Sequence, residues 1–152
     1  MKRILSVFLL LAMTVCLVSC DVVVTVNDVF PHTDYDGVYI FVSDIDMSDG
    51  APVLKVCWVN QSSHKIGFGL GYDIERLVGE EWKSVKITDF AIPEMWCMLD
   101  PSQTGIQSYR TKYFNILMPG LYRIKTEFIV YDGVDTTTNG TCYAKFKIGY
   151  SN

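Results

Sequence analysis

The chain has 152 residues, of which 49% are apolar and 20% are charged, with 13 basic and 17 acidic side chains. This length predicts one domain, and the apolar content is too high for a disordered chain. Two of the basic residues, Lys2 and Arg3, lie in residues 1–19, so 11 basic against 17 acidic residues follow, a net charge of −6. A chain of this charge is not expected to present the basic surface that nucleic acids require.

Residues 1–19 have the pattern of an export signal. Lys2 and Arg3 precede an apolar stretch, residues 4–18, that only two hydroxyl residues interrupt. A positive start followed by a short apolar stretch is typical of a secretory signal peptide, whereas a membrane-spanning helix needs about 20 apolar residues. We therefore predict that residues 1–19 are a signal peptide that is removed on export.

The end of this segment reads Leu17-Val18-Ser19-Cys20, with a leucine three residues before the cysteine and a small residue directly before it. It resembles the lipobox of bacterial lipoproteins. The resemblance implies cleavage between Ser19 and Cys20 and attachment of a diacylglyceryl group to the Cys20 thiol, and two or more acyl chains anchor a protein stably. The expected location is the extracytoplasmic face of the cell membrane. An ordinary signal peptide that contains a cysteine is the alternative.

Residues 20–36 are predicted to be the lipidated N-terminus and a tether, in which the apolar run 22–26 is a candidate edge strand. The folded domain is predicted at residues 37–150. Few alanines follow residue 19, whereas Val, Ile, Thr and aromatic residues are abundant. This composition favours strands over helices, and several segments alternate apolar and polar residues as half-buried strands do.

Seven strands are predicted from this alternation, in chain order 38–45, 53–59, 72–78, 82–87, 106–114, 121–131 and 141–150. In the clearest, 121–131, the even-numbered residues from 122 to 130 are predicted to be buried while the Arg, Lys and Glu between them face water. The last two strands are predicted to form a hairpin because residues 132–140 are rich in turn formers. Strands that each hide one face predict an antiparallel sandwich of two sheets.

Four segments carry a family resemblance: Gly37–Asp44, Leu54–Asn60, Tyr72–Leu77 with Glu81 and Trp82, and Pro119–Ile124. They are similar to the bacterial Ig-like domain that is often found on lipoproteins and surface proteins. The resemblance covers residues 37–149 and implies an all-β, Ig-like antiparallel β-sandwich of about seven strands, and it says little about activity. Tyr122 resembles a tyrosine corner, but Ile124 stands where an antibody-type domain has a cysteine. The inter-sheet disulfide of such domains is therefore not implied.

Three cysteines remain after lipidation, Cys57, Cys97 and Cys142, so at most one intramolecular disulfide is expected. Strand parity places Cys57 on the same face as Lys55 and Cys142 on the buried face of its strand, which disfavours a bridge between them. Cys97 lies in a predicted loop, where pairing with either remains open. A catalytic thiol is disfavoured because it needs a nearby base and no local signature accompanies these residues.

The acidic segment Asp44–Asp49 has the composition of a calcium loop without its geometry. Counted from Asp44, the sixth position is Asp49 instead of Gly, and the twelfth is Lys55 instead of the bidentate Glu that such a loop uses. A solvated turn is predicted there. No zinc spacing, phosphate loop or nucleophile elbow occurs in the sequence. We therefore predict no metal, no cofactor and no enzymatic activity.

Trp58 and Trp82 are predicted to be structural. Trp96, with Met95 and Met98, lies in a segment without a clear strand pattern and is a candidate contact patch, since exposed apolar clusters mark interfaces. These features together predict a non-catalytic binding or structural module at the cell envelope with a protein or glycan partner and with specificity in its loops. The alternatives are an inhibitor that presents one loop to a hydrolase and a carbohydrate-binding sandwich with Trp and Tyr platforms.

Overall fold

The computed structural model describes residues 22–26, 32–48, 50–88, 95–114, 118–133 and 137–150. The predicted signal peptide, with Ser19 and Cys20, lies outside the described residues. The described strands are β1 (Val22–Val26), β2 (His32–Thr33), β3 (Val38–Asp46), β4 (Val53–Asn60), β5 (Lys65–Gly69), β6 (Asp73–Val78), β7 (Glu81–Ser84), β8 (Trp96–Leu99), β9 (Thr104–Arg110), β10 (Gly120–Tyr131) and β11 (Thr137–Tyr150).

The strands form two antiparallel sheets that pack face to face. In the larger sheet the order is β1-β11-β10-β5-β8, with β2 beside β11, and β6 follows β5 along the same side of β10 and pairs with β7. The smaller sheet has the order β3-β4-β9. One core of buried side chains lies between them, contributed by strands of both sheets. The predicted antiparallel, Ig-like sandwich is confirmed.

Trp58 of β4 is the centre of this core. Its ring is stacked on Phe68 of the opposite sheet, with the ring centroids 4.0 Å apart, and it meets Phe128 edge to face at 6.1 Å. Its indole Nε1 donates a hydrogen bond to the Tyr109 hydroxyl at 3.1 Å, so the polar atom of this buried ring is satisfied. Trp58 therefore has a structural role, as predicted.

The predicted strands 38–45, 53–59, 72–78 and 82–87 lie over β3, β4, β6 and β7. The predicted hairpin of the last two strands is confirmed as β10 and β11, but β11 begins at Thr137, so its first four residues lie in the stretch that was predicted to be the turn. Along β10 the even-numbered residues from 122 to 130 are all buried, because they face the smaller sheet. The Tyr122 hydroxyl donates to the carbonyl of Met118, four residues earlier, which is the contact expected of a tyrosine corner.

Two predicted strands end earlier than expected. The strand predicted at 106–114 stops at Arg110, because the backbone N–H and the hydroxyl of Thr111 both donate to the carbonyl of Pro52, at 3.0 and 2.8 Å, and a 3-10 turn follows. The strand predicted at 82–87 stops at Ser84, and Ile87 forms an isolated bridge with Phe114. Both boundaries are set by contacts with distant residues that local alternation does not report.

Three strands lie where none was predicted: β5, β8 and the two-residue β2. β5 contains Gly67 and Gly69, which weaken the strand pattern, and β8 was hidden because its outward residues, Trp96 and Met98, are as apolar as its inward ones. Cys97 therefore lies in a strand and not in the predicted loop. The candidate edge strand at 22–26 forms β1, which pairs with residues 146–150 of β11. These additions bring the larger sheet to eight described strands.

Arg123 links four strands across the outer face of the larger sheet. Its guanidinium lies between the rings of Trp82 and Tyr143, 4.5 and 4.3 Å from their centroids, and is ion-paired and hydrogen-bonded with Glu75. These contacts cross β7, β6, β10 and β11, and the Arg123 and Glu75 side chains are largely shielded from water. Trp82 therefore has a structural role, as predicted, because its ring covers this ion pair.

Candidate functional site

The larger sheet splits where β5 gives way to β6. β10 pairs with β5 up to Phe128 and with β6 from Lys125 onward, so two residues of β10 lie opposite the four residues 69–72. The excess of two residues interrupts the ladder, as a large β-bulge does. An opening in the outer face of the sheet results.

The link between β5 and β6 is pinned by two side chains. The buried hydroxyl of Thr126 in β10 donates to the carbonyl of Gly71 at 2.9 Å, and the Tyr72 hydroxyl donates to the carbonyl of Arg110 at 2.5 Å. The Tyr72 ring also packs on Tyr109, with centroids 4.8 Å apart. Among the described residues, no heavy atom would lie within 4 Å of a Cβ atom at Gly71, so the link faces away from them. The hydrogen bonds and the ring contact therefore fix the opening as part of the fold.

This opening is a cleft with a volume of about 480 Å³. That volume lies within the range of sites that hold small ligands. The cleft is lined by the β5–β6 link with Asp73, by Lys125, Thr126 and Glu127 of β10, and by Met95 and Trp96. Lys125 is half-buried, whereas Glu127 is exposed.

The predicted contact patch divides at this cleft. Met95, Trp96 and Met98 are exposed by 58%, 57% and 46%, and the first two line the cleft while the third lies on the same face of β8 outside it. Trp96 points outward because Cys97, the next residue, packs against the core. Whether the patch contacts a partner stays a prediction.

Sequence reasoning missed the polar part of the cleft. Asp73, Lys125 and Glu127 come together there because Asp73 is the strand partner of Lys125, across the end of the interrupted ladder. The signal in the sequence was the alternation of glycines at 67, 69 and 71, since glycines inside a strand pattern mark bulges and open backbone.

A comparison with protein families shows which family the chain belongs to. A family model described as a bacterial Ig-like domain matches residues 34–147, about three quarters of the chain. The chain belongs to the bacterial Ig-like domain family. No curated protein and no solved structure matches it. The family indicates a non-catalytic binding or structural module, which makes the cleft a candidate binding surface of this Ig-like domain.

The carboxylates that resembled a calcium loop have protein partners in this Ig-like domain. Asp44 forms an ion pair with Lys55 at 2.7 Å, and Asp46 accepts a hydrogen bond from the backbone N–H of Ser48 at 2.9 Å. The hydrogen bond from Lys55 holds the pKa of the Asp44 carboxyl below its usual value. In the described ranges no group of three metal-binding side chains is found. Within the same residues, no helix is long and apolar enough to cross a membrane.

Cys57 and Cys142 lie on the strand faces that strand parity predicted for them. Cys57, Cys97 and Cys142 are free thiols. Cys57 lies half-buried on the outer face of β4, whereas Cys142 is buried in the core, 3.7 Å from the carbonyl of Val38 and 3.6 Å from the Thr33 hydroxyl. Burial raises the pKa of the Cys142 thiol from 9.0 to about 12, so the folded state keeps this thiol protonated.

This burial predicts a pH dependence of stability. The unfolded chain loses the Cys142 proton above about pH 9 while the folded chain keeps it to about pH 12, so stability present below pH 9 falls by about 1.4 kcal/mol per pH unit above it. Urea denaturation between about pH 8 and pH 11 is expected to show a steeper loss for the wild type than for Cys142→Ala. Burial also raises the pKa of the partly exposed Cys57 thiol, so the comparison variant Cys57→Ala is expected to reduce the slope less than Cys142→Ala does. Parallel wild-type and Cys142→Ala slopes would contradict the assignment.

Proposed function

We propose that this protein is a lipid-anchored, extracytoplasmic binding module of the bacterial cell envelope and that the cleft between the β5–β6 link and Trp96 is its binding surface. The observation that carries the binding role is a cleft of about 480 Å³ beside a tryptophan that is 57% exposed. A large aromatic side chain kept in water at the wall of a cleft is costly for solubility and is typical of binding sites.

The proposed anchor is Cys20. The residues Leu17, Ser19 and Cys20 have the lipobox arrangement, and the apolar stretch before them has the length of a signal peptide. The mature chain carries a net charge of −6, so electrostatic attraction to acidic lipids does not supply membrane binding, and acyl chains would have to do so.

The topology suits a binding site that points away from such an anchor. β1 begins at Val22, close to Cys20 in sequence, and lies at one edge of the larger sheet, while β8 with Trp96 lies at the other end of the strand order. Four strand spacings of about 4.8 Å separate β1 from β8, or roughly 19 Å across the sheet. A domain held at β1 would present its cleft on the far side.

The proposal is tested on intact bacterial cells that express the full chain. With an alkyne analogue of palmitate in the medium, the wild type is expected to be labelled and to sediment with membranes, and Cys57→Ser should behave like it. Cys20→Ser is expected to lose the label and leave the membrane fraction. An unlabelled wild type, or a Cys20→Ser variant that keeps the label, would overturn the anchor.

The binding role is tested in the same cells by photocrosslinking. A benzophenone amino acid in place of Gly71, in the β5–β6 link that lines the cleft, is expected to capture an envelope component that an excess of purified, unmodified domain competes away. The matched control carries the same group in place of Ile106, which is 70% exposed on the smaller sheet. Capture from both positions, or from neither, would refute the assignment of the cleft as the binding surface.

A further inference from the structure

The cleft combines three kinds of surface that one class of ligand needs together. Trp96 offers an aromatic face, Lys125 offers hydrogen-bond donors, and Asp73 and Glu127 offer acceptors. The Gly71 carbonyl already accepts from Thr126, but the other backbone groups of residues 70–72 have no strand partner in the described ladders and add further donors and acceptors to the lining.

The charges in the cleft argue against an anionic ligand. Lys125 is the sole cation among the described lining residues, and with the two carboxylates it gives them a net charge of −1. The nearby Arg123 is already paired with Glu75 and enclosed by two rings. Phosphates, nucleic acids and acidic polysaccharides would therefore meet repulsion that a single ammonium does not offset.

A neutral saccharide matches all of these surfaces. The C–H face of a pyranose ring is apolar and stacks on an indole, while its hydroxyl groups both donate and accept hydrogen bonds. We propose that the cleft binds a neutral oligosaccharide, with one sugar ring on Trp96 and hydroxyl groups held by Lys125, Asp73 and Glu127. This inference rests on the proposed binding role of the cleft and names the class of its ligand.

A protein partner would use the surface differently. A stable protein interface covers about 800 Å² on each partner, far more than the mouth of one cleft, and would extend over Met98, which lies on the same face of β8 at similar exposure. A saccharide ring in the cleft leaves Met98 in water. Met98 therefore separates the two kinds of ligand.

The test uses the purified mature domain and three neutral trisaccharides, maltotriose, cellotriose and chitotriose, with intrinsic fluorescence and calorimetry as readouts. Since Trp58 is buried and Trp82 is covered by Arg123, a fluorescence change on binding is expected to come from Trp96. At least one trisaccharide is expected to bind at millimolar concentrations. Trp96→Ala is expected to weaken that binding about tenfold, which is the loss of one stacked ring.

The controls keep the result interpretable. Met98→Ala removes an equally exposed side chain from the same strand and is expected to leave saccharide binding unchanged, and the melting temperatures of both variants establish that they are folded. Failure of all three trisaccharides to bind, or equal loss in Trp96→Ala and Met98→Ala, would overturn the saccharide proposal. Capture of a protein from the Gly71 position in cells would do the same while leaving the binding role of the cleft intact.

Discussion

Trp58→Ala is expected to lower the free energy of unfolding by about 3–5 kcal/mol, because it empties the centre of the core. The indole is fully buried, is stacked on Phe68, and bonds to the Tyr109 hydroxyl, so the substitution removes packing from both sheets and leaves that hydroxyl without its donor. The loss is a large fraction of the stability of a domain of this size. Urea or thermal denaturation measures it directly.

The same sheet supplies the control for this prediction. Ile106 is 70% exposed on the outer face of β9, and Ile106→Ala is expected to change the free energy of unfolding by less than about 0.5 kcal/mol. Trp58→Phe should fall between the two, since it keeps a ring and loses the hydrogen bond. Equal losses in Trp58→Ala and Ile106→Ala would mean that the two sheets do not pack through Trp58.

Gly140→Ala is expected to destabilise the domain by about 1–3 kcal/mol although it adds a single methyl group. Gly140 is the strand partner of Phe128, and a Cβ atom at this position would lie 2.3 Å from Phe128 Cζ, well inside contact distance. Phe128 is buried against Trp58, so its ring has little room to move aside. Denaturant unfolding of the variant provides the measurement.

A second glycine in the same strand is the matched control for Gly140. At Gly149 an added Cβ atom would meet the Val23 carbonyl oxygen at 3.9 Å, an ordinary contact, so Gly149→Ala should be nearly neutral. Adding Phe128→Leu to Gly140→Ala should cost less than the sum of the two single changes, because the smaller side chain relieves the clash. Strict additivity would show that the clash is not the cause.

The hairpin of β10 and β11 was predictable because each strand has one wet and one dry face, so alternation in the sequence reports position directly. β5 and β8 were not predictable by the same rule. In β5 the alternate positions are glycines, which have no side chain to show a face, and in β8 Trp96 and Met98 stay exposed while Cys97 and Leu99 face inward, so apolar residues occupy both faces. Alternation fails where a strand breaks the usual division between core and surface.

The candidate site was predictable only in part, and for a related reason. Trp96 and Met95 were predicted as part of a contact patch because their segment has no clear strand pattern, whereas Lys125 and Glu127 looked like ordinary members of the wet face of β10. Their grouping with Asp73 depends on the two extra residues between β5 and β6. Such an insertion is visible only once the register of both strands on β10 is known.

The pairing of β1 with β11 limits how far the domain can lie from an anchor at Cys20. Val22 already lies opposite Tyr150 in the sheet, two residues after Cys20, and two extended residues span at most about 7 Å. If Cys20 carries the acyl chains, no flexible stalk separates lipid from domain, and the body would sit against the bilayer with its tilt fixed by a β-sheet edge. Such a module would reach ligands in the layer next to the membrane and would not reach ligands in the wall beyond it.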